Sequence, residues 1–299
     1  MIVITRNTPQ PFLPALIQEI RVDTIDVEQK KVLYSGNSPM NRPQKIEQLL
    51  LALRCMDLTT LSGDDTMQRV EELCALAQQP LPEDPMVQVG AVCLYPAFVA
   101  TAKAALEGSS IPVASVAAGF PTGLLPLSWR LAEIRGAVAA GAAEIDIVAP
   151  RHYSLSKDWE GLYKELLSMR EACGGALLKV ILETGHLPDL ETIAGASRVA
   201  ILAGADFIKT STGKEAVGAT LEAGIVMAQQ IRAHEVATGL RVGLKPAGGI
   251  RRAQQALQWL MLVQKELGTA WEDPRYFRIG ASSLLTAIQT ELKLLRTEQ

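Results

Sequence analysis

Eight short apolar runs recur along this chain at spacings of roughly 30 residues. Each is closed by a polar or Gly/Pro cluster and followed by a stretch of helical character. The runs are 54–58, 89–94, 112–117, 144–148, 177–182, 206–210, 241–245 and 277–280. One strand, one helix and two loops need about that much chain. Strict alternation of this kind dictates a parallel sheet, because each helix carries the chain back to the end where the previous strand began. Eight units point to closure into an α/β fold of the (β/α)8 TIM-barrel type; a doubly wound open sheet would show the same pattern. The intervening stretches fit helices. Leu257, Leu260, Met261 and Leu267 share one face of 253–267, and Leu131, Ile134 and Val138 share one face of 128–140. Gly141 follows the latter, where a helix end favours glycine.

The length of 299 residues accommodates a barrel of about 250 residues with some chain to spare. Residues 1–45, punctuated by Pro9, Pro11, Pro14, Pro39 and Pro43 and lacking a sustained period, read as an N-terminal extension ordered in part at most. Residues 46–299 then form the barrel domain. Apolar residues at 48% supply a large core and exclude wholesale disorder. The net charge of −3, with both signs mixed, lacks the basic excess of a nucleic-acid or anionic-membrane binder, so neither partner is expected. The uncharged stretch 108–129 contains Pro112, Pro121 and Pro126 and reads as strand and loop, not as a membrane span. The four cysteines form no C-x-x-C pair, which suits a reduced protein. His152, His186 and His234 lie far apart without ligand spacing, so no metal cofactor is expected. The chain start lacks the basic head and longer apolar run of a signal peptide, making the cytoplasm the default location.

The most informative feature is charge inside the apolar runs. Asp146, Lys179, Lys209 and Lys245 occupy the fourth to seventh strands in succession. Alternation lets each sit on the inner face of a barrel while Ile145, Ile147, Leu178 and Val180 face the helices. One carboxylate and three lysines would then share one confined volume. A buried unpaired charge costs several kcal/mol, so the arrangement needs a reason. A buried ion pair of Asp146 with one lysine leaves two lysines over, unless Glu183 or Asp57 contributes. The functional reading uses the crowding instead. Cationic neighbours and desolvation both disfavour an ammonium, and a lysine driven toward neutrality attacks carbonyls to form a Schiff base.

Anion-binding features follow these lysines. Gly248 and Gly249 come after the seventh strand, and Ser282 and Ser283 come after the eighth; a helix follows each pair. Barrel enzymes commonly hold phosphate with those two loops. The segment Thr210-Ser211-Thr212-Gly213-Lys214 is also suited to an anion. It is not a nucleotide-binding P-loop, because Ile208 stands where the first glycine belongs and Glu215 follows the lysine.

Six segments in collinear order resemble 2-deoxyribose-5-phosphate aldolases: MDLTTL at 56–61, AEIDIVAP at 143–150, LLKVILETG at 177–185, GADFIKTSTGK at 204–214, VGLKPAGGIR at 242–251 and RIGASSLL at 278–285. The resemblance spans roughly 45–295 and implies a (β/α)8 barrel and a class I, metal-free aldolase of deoxyribose phosphate catabolism. It implies that Lys209 forms the Schiff base, that Lys245 tunes it and assists proton transfer, and that Asp146 relays protons. It places Thr212, Gly213, Lys214, Gly248, Gly249, Ser282 and Ser283 around the substrate phosphate, Asp57 and Cys93 near the same mouth, and Lys179 in charge balance. The expected partners are a sugar phosphate and small aldehydes, with a homodimer as the expected assembly. Two departures stand out: Pro150-Arg151-His152 follows Asp146 where members vary, and Glu298-Gln299 lack the tyrosine in which some members end. The competing readings are another Schiff-base barrel, such as a transaldolase-like or keto-acid aldolase, and a silent sugar-phosphate-binding protein. The first explains the lysines but not the collinear segments.

Overall fold

The computed structural model describes residues 6–36 and 40–297. Residues 1–5, part of the chain start on which the targeting expectation rests, and the tail residues Glu298 and Gln299 lie outside the described residues. Eight parallel strands alternate with helices: β1 (Met56–Thr59), β2 (Ala91–Leu94), β3 (Val113–Ala117), β4 (Glu144–Val148), β5 (Leu177–Ile181), β6 (Phe207–Lys209), β7 (Gly243–Lys245) and β8 (Ile279–Ala281). Each falls on one of the eight predicted runs. The order β7-β6-β5-β4-β3-β2-β1-β8 is continuous. Parallel bridges Leu244↔Phe277 and Ala247↔Gly280 join its two ends, so the sheet returns on itself as a barrel.

Register sets which side chains meet inside. Asp146 lies beside Lys179, Ile181 beside Lys209, and Lys209 beside Lys245. On the other side of the barrel Asp57 lies beside Gly280. Phe207 fills the barrel toward the amino-terminal ends of the strands. A β-carbon on the neighbouring Gly243 would lie 2.2 Å from its ring, so only glycine leaves room there.

The helices Leu190–Leu202 and Leu221–Thr238 bury most of their circumference, unlike the amphipathic ring helices of a simple barrel. The N-terminal segment accounts for this. Where the sequence predicts partial order at most for 1–45, residues 6–36 run across the outside of these helices. Asn7 Nδ2 donates to Ile201 O (2.8 Å) and Ala205 O (2.9 Å), and Gln10 N donates to Leu202 O (2.8 Å). Phe12 stacks on Tyr163 at 5.3 Å. The helix Thr24–Ser35, capped by Asp23, buries Val27 and Tyr34, and the Tyr34 hydroxyl donates to Glu266 Oε1 at 2.5 Å. These anchors are single residues at irregular intervals among prolines, and no periodicity announces them. The helix Arg42–Arg54 straddles the expected boundary at 45/46.

One anchor titrates. Asn7 gives its amide hydrogens to two carbonyls, so its Oδ1 accepts from the Nε2–H of a neutral, buried His234 at 3.0 Å. Burial, and secondarily the Arg198 guanidinium, push this imidazole from 6.5 down to about 4. The unfolded chain therefore binds a proton that the folded protein refuses. Stability from this group is complete above pH 6.5 and is lost as the pH falls toward about 4. The urea midpoint is expected to drop across that window, and His234→Gln, which takes up no proton there, is expected to flatten the slope. Parallel wild-type and variant curves would dismiss His234 as the responsible group.

Candidate active site

Alternation places Glu144 and Asp146 of β4 on the inner face, with Ile145 and Ile147 buried among the helices. The same parity turns Asp57, Lys179, Lys209, Lys245 and Arg278 inward. Lys179 Nζ lies 2.8 Å from Asp57 Oδ2, 2.6 Å from Glu144 Oε2 and 3.0 Å from Asp146 Oδ1. Lys245 Nζ lies 2.6 Å from Asp146 Oδ2 and also donates to Asp57 Oδ2. Lys209 Nζ lies 2.8 Å from the same Asp146 Oδ2. Arg278 closes the cluster from below, 2.6 Å from Asp57 Oδ1 and 2.9 Å from Glu144 Oε1.

This corrects the expected charge count. The lysines do not confront a single carboxylate: Asp57, Asp146 and Glu144 face Lys179, Lys209, Lys245 and Arg278, leaving one surplus positive charge. Glu144 and Arg278 were not among the predicted site residues. Both signals were present, since Glu144 has the parity of Asp146 two positions on, and Arg278 stands alone between Phe277 and Ile279. Burial opposes ionisation of Asp57, Asp146, Lys179, Lys245 and Arg278, yet their partners prevail. Lys179, Lys245 and Arg278 hold their protons above the ordinary range because Asp57 with Asp146 or Glu144 outweighs desolvation. Lysines likewise hold the Asp57 and Asp146 carboxyls below theirs. Removing one partner would strand a buried charge, at roughly 3–5 kcal/mol.

The lysines differ in access. Lys179 and Lys245 are fully enclosed, whereas Lys209 lines a cavity of about 190 Å³ at the carboxyl ends of the strands. Around it stand Thr59 at the end of β1 and Leu61 beyond it, Thr212, Gly213 and Lys214 after β6, Gly248, Gly249 and Arg251 after β7, and Ser282 and Ser283 after β8. The seven residues expected around a phosphate thus share one wall system. Gly213 and Gly248 have φ of +78° and +84°, and a β-carbon on Gly248 would lie 3.2 Å from the Gly213 α-carbon. The two loops can approach that closely only because both residues are glycine. The helix Leu284–Thr297 starts directly after Ser283, presenting its N-terminus to the same space. The Lys214 ammonium donates to the Leu61 carbonyl across the mouth.

Two other residues expected near the mouth, Cys93 and Asp57, do not line the cavity. Cys93 is buried with Leu61, Ala114 and Val116 in an apolar cluster flanked by Tyr95 and Phe120, and burial pushes its thiol up. Asp57 sits below the cavity, engaged with Lys179, Lys245 and Arg278. Among the described residues no group of three or more His, Cys, Asp or Glu side chains is arranged to hold a metal ion, and no helix is long and apolar enough to cross a membrane.

A closed parallel barrel that brings one lysine to the floor of a polar cavity at the carboxyl ends of its strands has the build of a barrel enzyme. The chain belongs to the DeoC/LacD family of aldolases, whose family model matches residues 51–290. It is 47% identical over 287 residues to deoxyribose-phosphate aldolase of Mus musculus, covering 92% of this chain and 90% of the mouse protein. Against deoxyribose-phosphate aldolase of Bos taurus it is 46% identical with the same coverage. The tetrameric structure of deoxyribose phosphate aldolase from Aeropyrum pernix superposes with a TM-score of 0.63 at 27% identity, covering 85% of this chain and all of that one.

Proposed function

We propose that this enzyme reversibly cleaves 2-deoxy-D-ribose 5-phosphate to D-glyceraldehyde 3-phosphate and acetaldehyde through a Schiff base on Lys209. The observation that carries the reading is the single lysine opening from a buried ion cluster into a cavity ringed by glycines, serines and a second lysine. The relatives at 46–47% identity point to the same substrate. The cluster's charge count reaches zero when one lysine is neutral, and only Lys209 reaches the substrate space. Its amine adds to the C1 aldehyde of the open-chain sugar, and water leaves with Asp146 and Lys245 managing the protons. The resulting iminium accepts the electron pair of the C2–C3 bond as the C3 hydroxyl loses its proton and becomes the aldehyde of glyceraldehyde 3-phosphate. The two-carbon enamine is protonated at C2, and water releases acetaldehyde and the amine.

Lys214, the glycine pair and the serines hold the phosphate, so that remote binding energy orients the reacting end. The iminium takes the place of a Lewis acid, and the inner carboxylates are already engaged by lysines and arginine. This reading assigns the enzyme to degradation of deoxyribonucleotide sugars in the cytoplasm. The four buried, unpaired cysteines suit a reducing compartment. Self-association, expected as a homodimer, is part of the same reading. The test is a coupled assay on 2-deoxyribose 5-phosphate with and without a strong chelator. Equal production of both aldehydes under both conditions is expected. Activity only with added metal, or only on dihydroxyacetone or pyruvate donors, would overturn the proposal.

A further inference from the structure

We propose that Glu183 is a positioning residue that presents the Thr212-Gly213-Lys214 loop to the substrate phosphate; this rests on the phosphate reading of that cavity. Glu183, two residues beyond the end of β5, is fully buried, with its backbone in the left-handed region at φ 55°, ψ 58°. A residue with a long side chain adopts that conformation only where surrounding structure enforces it. Its Oε2 accepts from Thr212 N at 3.1 Å and from the Thr212 hydroxyl at 2.6 Å. The same Thr212 Oγ1 accepts from Lys214 N at 3.2 Å. One carboxylate oxygen thus sets the turn through Gly213 and the origin of the Lys214 side chain. The loop after β5 is pressed against the loop after β6. Thr184 N donates to Thr210 O at 2.9 Å, and a β-carbon on Gly185 would lie 2.5 Å from Val217 O.

The other oxygen, Oε1, is buried without a hydrogen-bond partner, and among the described residues no Lys, Arg or His pairs with this carboxylate. A strained backbone and a buried carboxyl oxygen without a partner are expensive together at one residue, and a cap for two donors needs neither. Glu183 does not line the cavity itself, so its influence on substrate passes through Thr212.

The experiment compares kcat/KM for 2-deoxyribose 5-phosphate and for unphosphorylated 2-deoxyribose. In Glu183→Ala the preference for the phosphorylated sugar is expected to fall by about tenfold or more, chiefly through KM. Glu183→Gln keeps an amide oxygen for both bonds and is expected to retain most of the preference. Thr212→Val, which removes the hydroxyl's bonds with Glu183 and Lys214 N but keeps the Thr212 N–H bond to Glu183, is expected to fall between. A Glu183→Ala enzyme slowed equally on both sugars, or a Gln variant as impaired as Ala, would overturn the inference. Should the Ala variant fail to fold, an unchanged preference in Thr212→Val overturns it. Wild-type enzyme without any preference would overturn the phosphate reading itself; wild-type preference that Glu183→Ala retains sinks the inference alone.

Discussion

Lys209→Ala is expected to lower aldolase activity by a factor on the order of 10⁴ or more, and to abolish covalent capture of acetaldehyde under borohydride. In wild-type protein, reduction should fix one two-carbon group on the peptide bearing Lys209. Geometry makes the choice sharp. Three lysine nitrogens crowd around Asp57 and Asp146, but two are sealed within the ion cluster and one faces the cavity. A carbonyl carbon entering from the mouth meets Lys209 first and cannot reach Lys179 without displacing three carboxylate contacts. Mass spectrometry of the trapped protein decides the matter. Label on Lys179 or Lys245 would refute the assignment, as would a Lys209→Ala enzyme that still turns over.

The second large effect is expected at Lys245 and Asp146. Lys245→Leu and Asp146→Asn should each slow turnover by roughly 10²–10⁴-fold, the range for loss of a proton-transfer partner. The pH profile of Lys245→Leu should also differ from wild type. Asp146 and Asp57 outweigh burial and keep Lys245 protonated beyond the usual lysine range, so near neutrality it is a fixed cation beside Asp146 Oδ2, the oxygen that also holds Lys209. Removing that cation removes a penalty on neighbouring positive charge, and the residual activity of Lys245→Leu should emerge at higher pH. Near-ultraviolet circular dichroism establishes that the variant retains its packing. A folded variant with an unmoved profile would separate Lys245 from the acid–base chemistry.

The barrel was legible because its signal is local. Each strand announces itself by a few apolar residues and a terminator, and inner-face charges stand out against Ile145, Val180 or Leu244. What was hidden depends on partners far apart in sequence. Asp57 meets Arg278 because β1 pairs with β8 in the register Asp57↔Gly280, and nothing in either segment alone specifies that register. Glu144 opens its apolar run, and only the closed barrel brings Lys179 and Arg278 beside it. The anion count fell short because β4 carries a second inward carboxylate, Glu144, and because Asp57 lies on β1, away from the four consecutive charged strands. The N-terminal segment was opaque for a different reason. Its anchors are hydrogen bonds from Asn7 and Gln10 and the stacked ring of Phe12, and such contacts leave no repeating trace.

Asn7 finds its carbonyl partner 194 positions downstream. During synthesis the segment that carries it must wait for most of the barrel to be made before it can dock. Until then the surface of the helix Leu221–Thr238 and its neighbours that Val27 and Tyr34 cover stays open, and exposed apolar surface of that kind invites nascent chains to adhere to one another. Late-arriving contacts of such long range are slow to form. The last event in maturation would therefore be the closing of the earliest-made stretch over the finished shell, and chaperone demand should be concentrated in that interval.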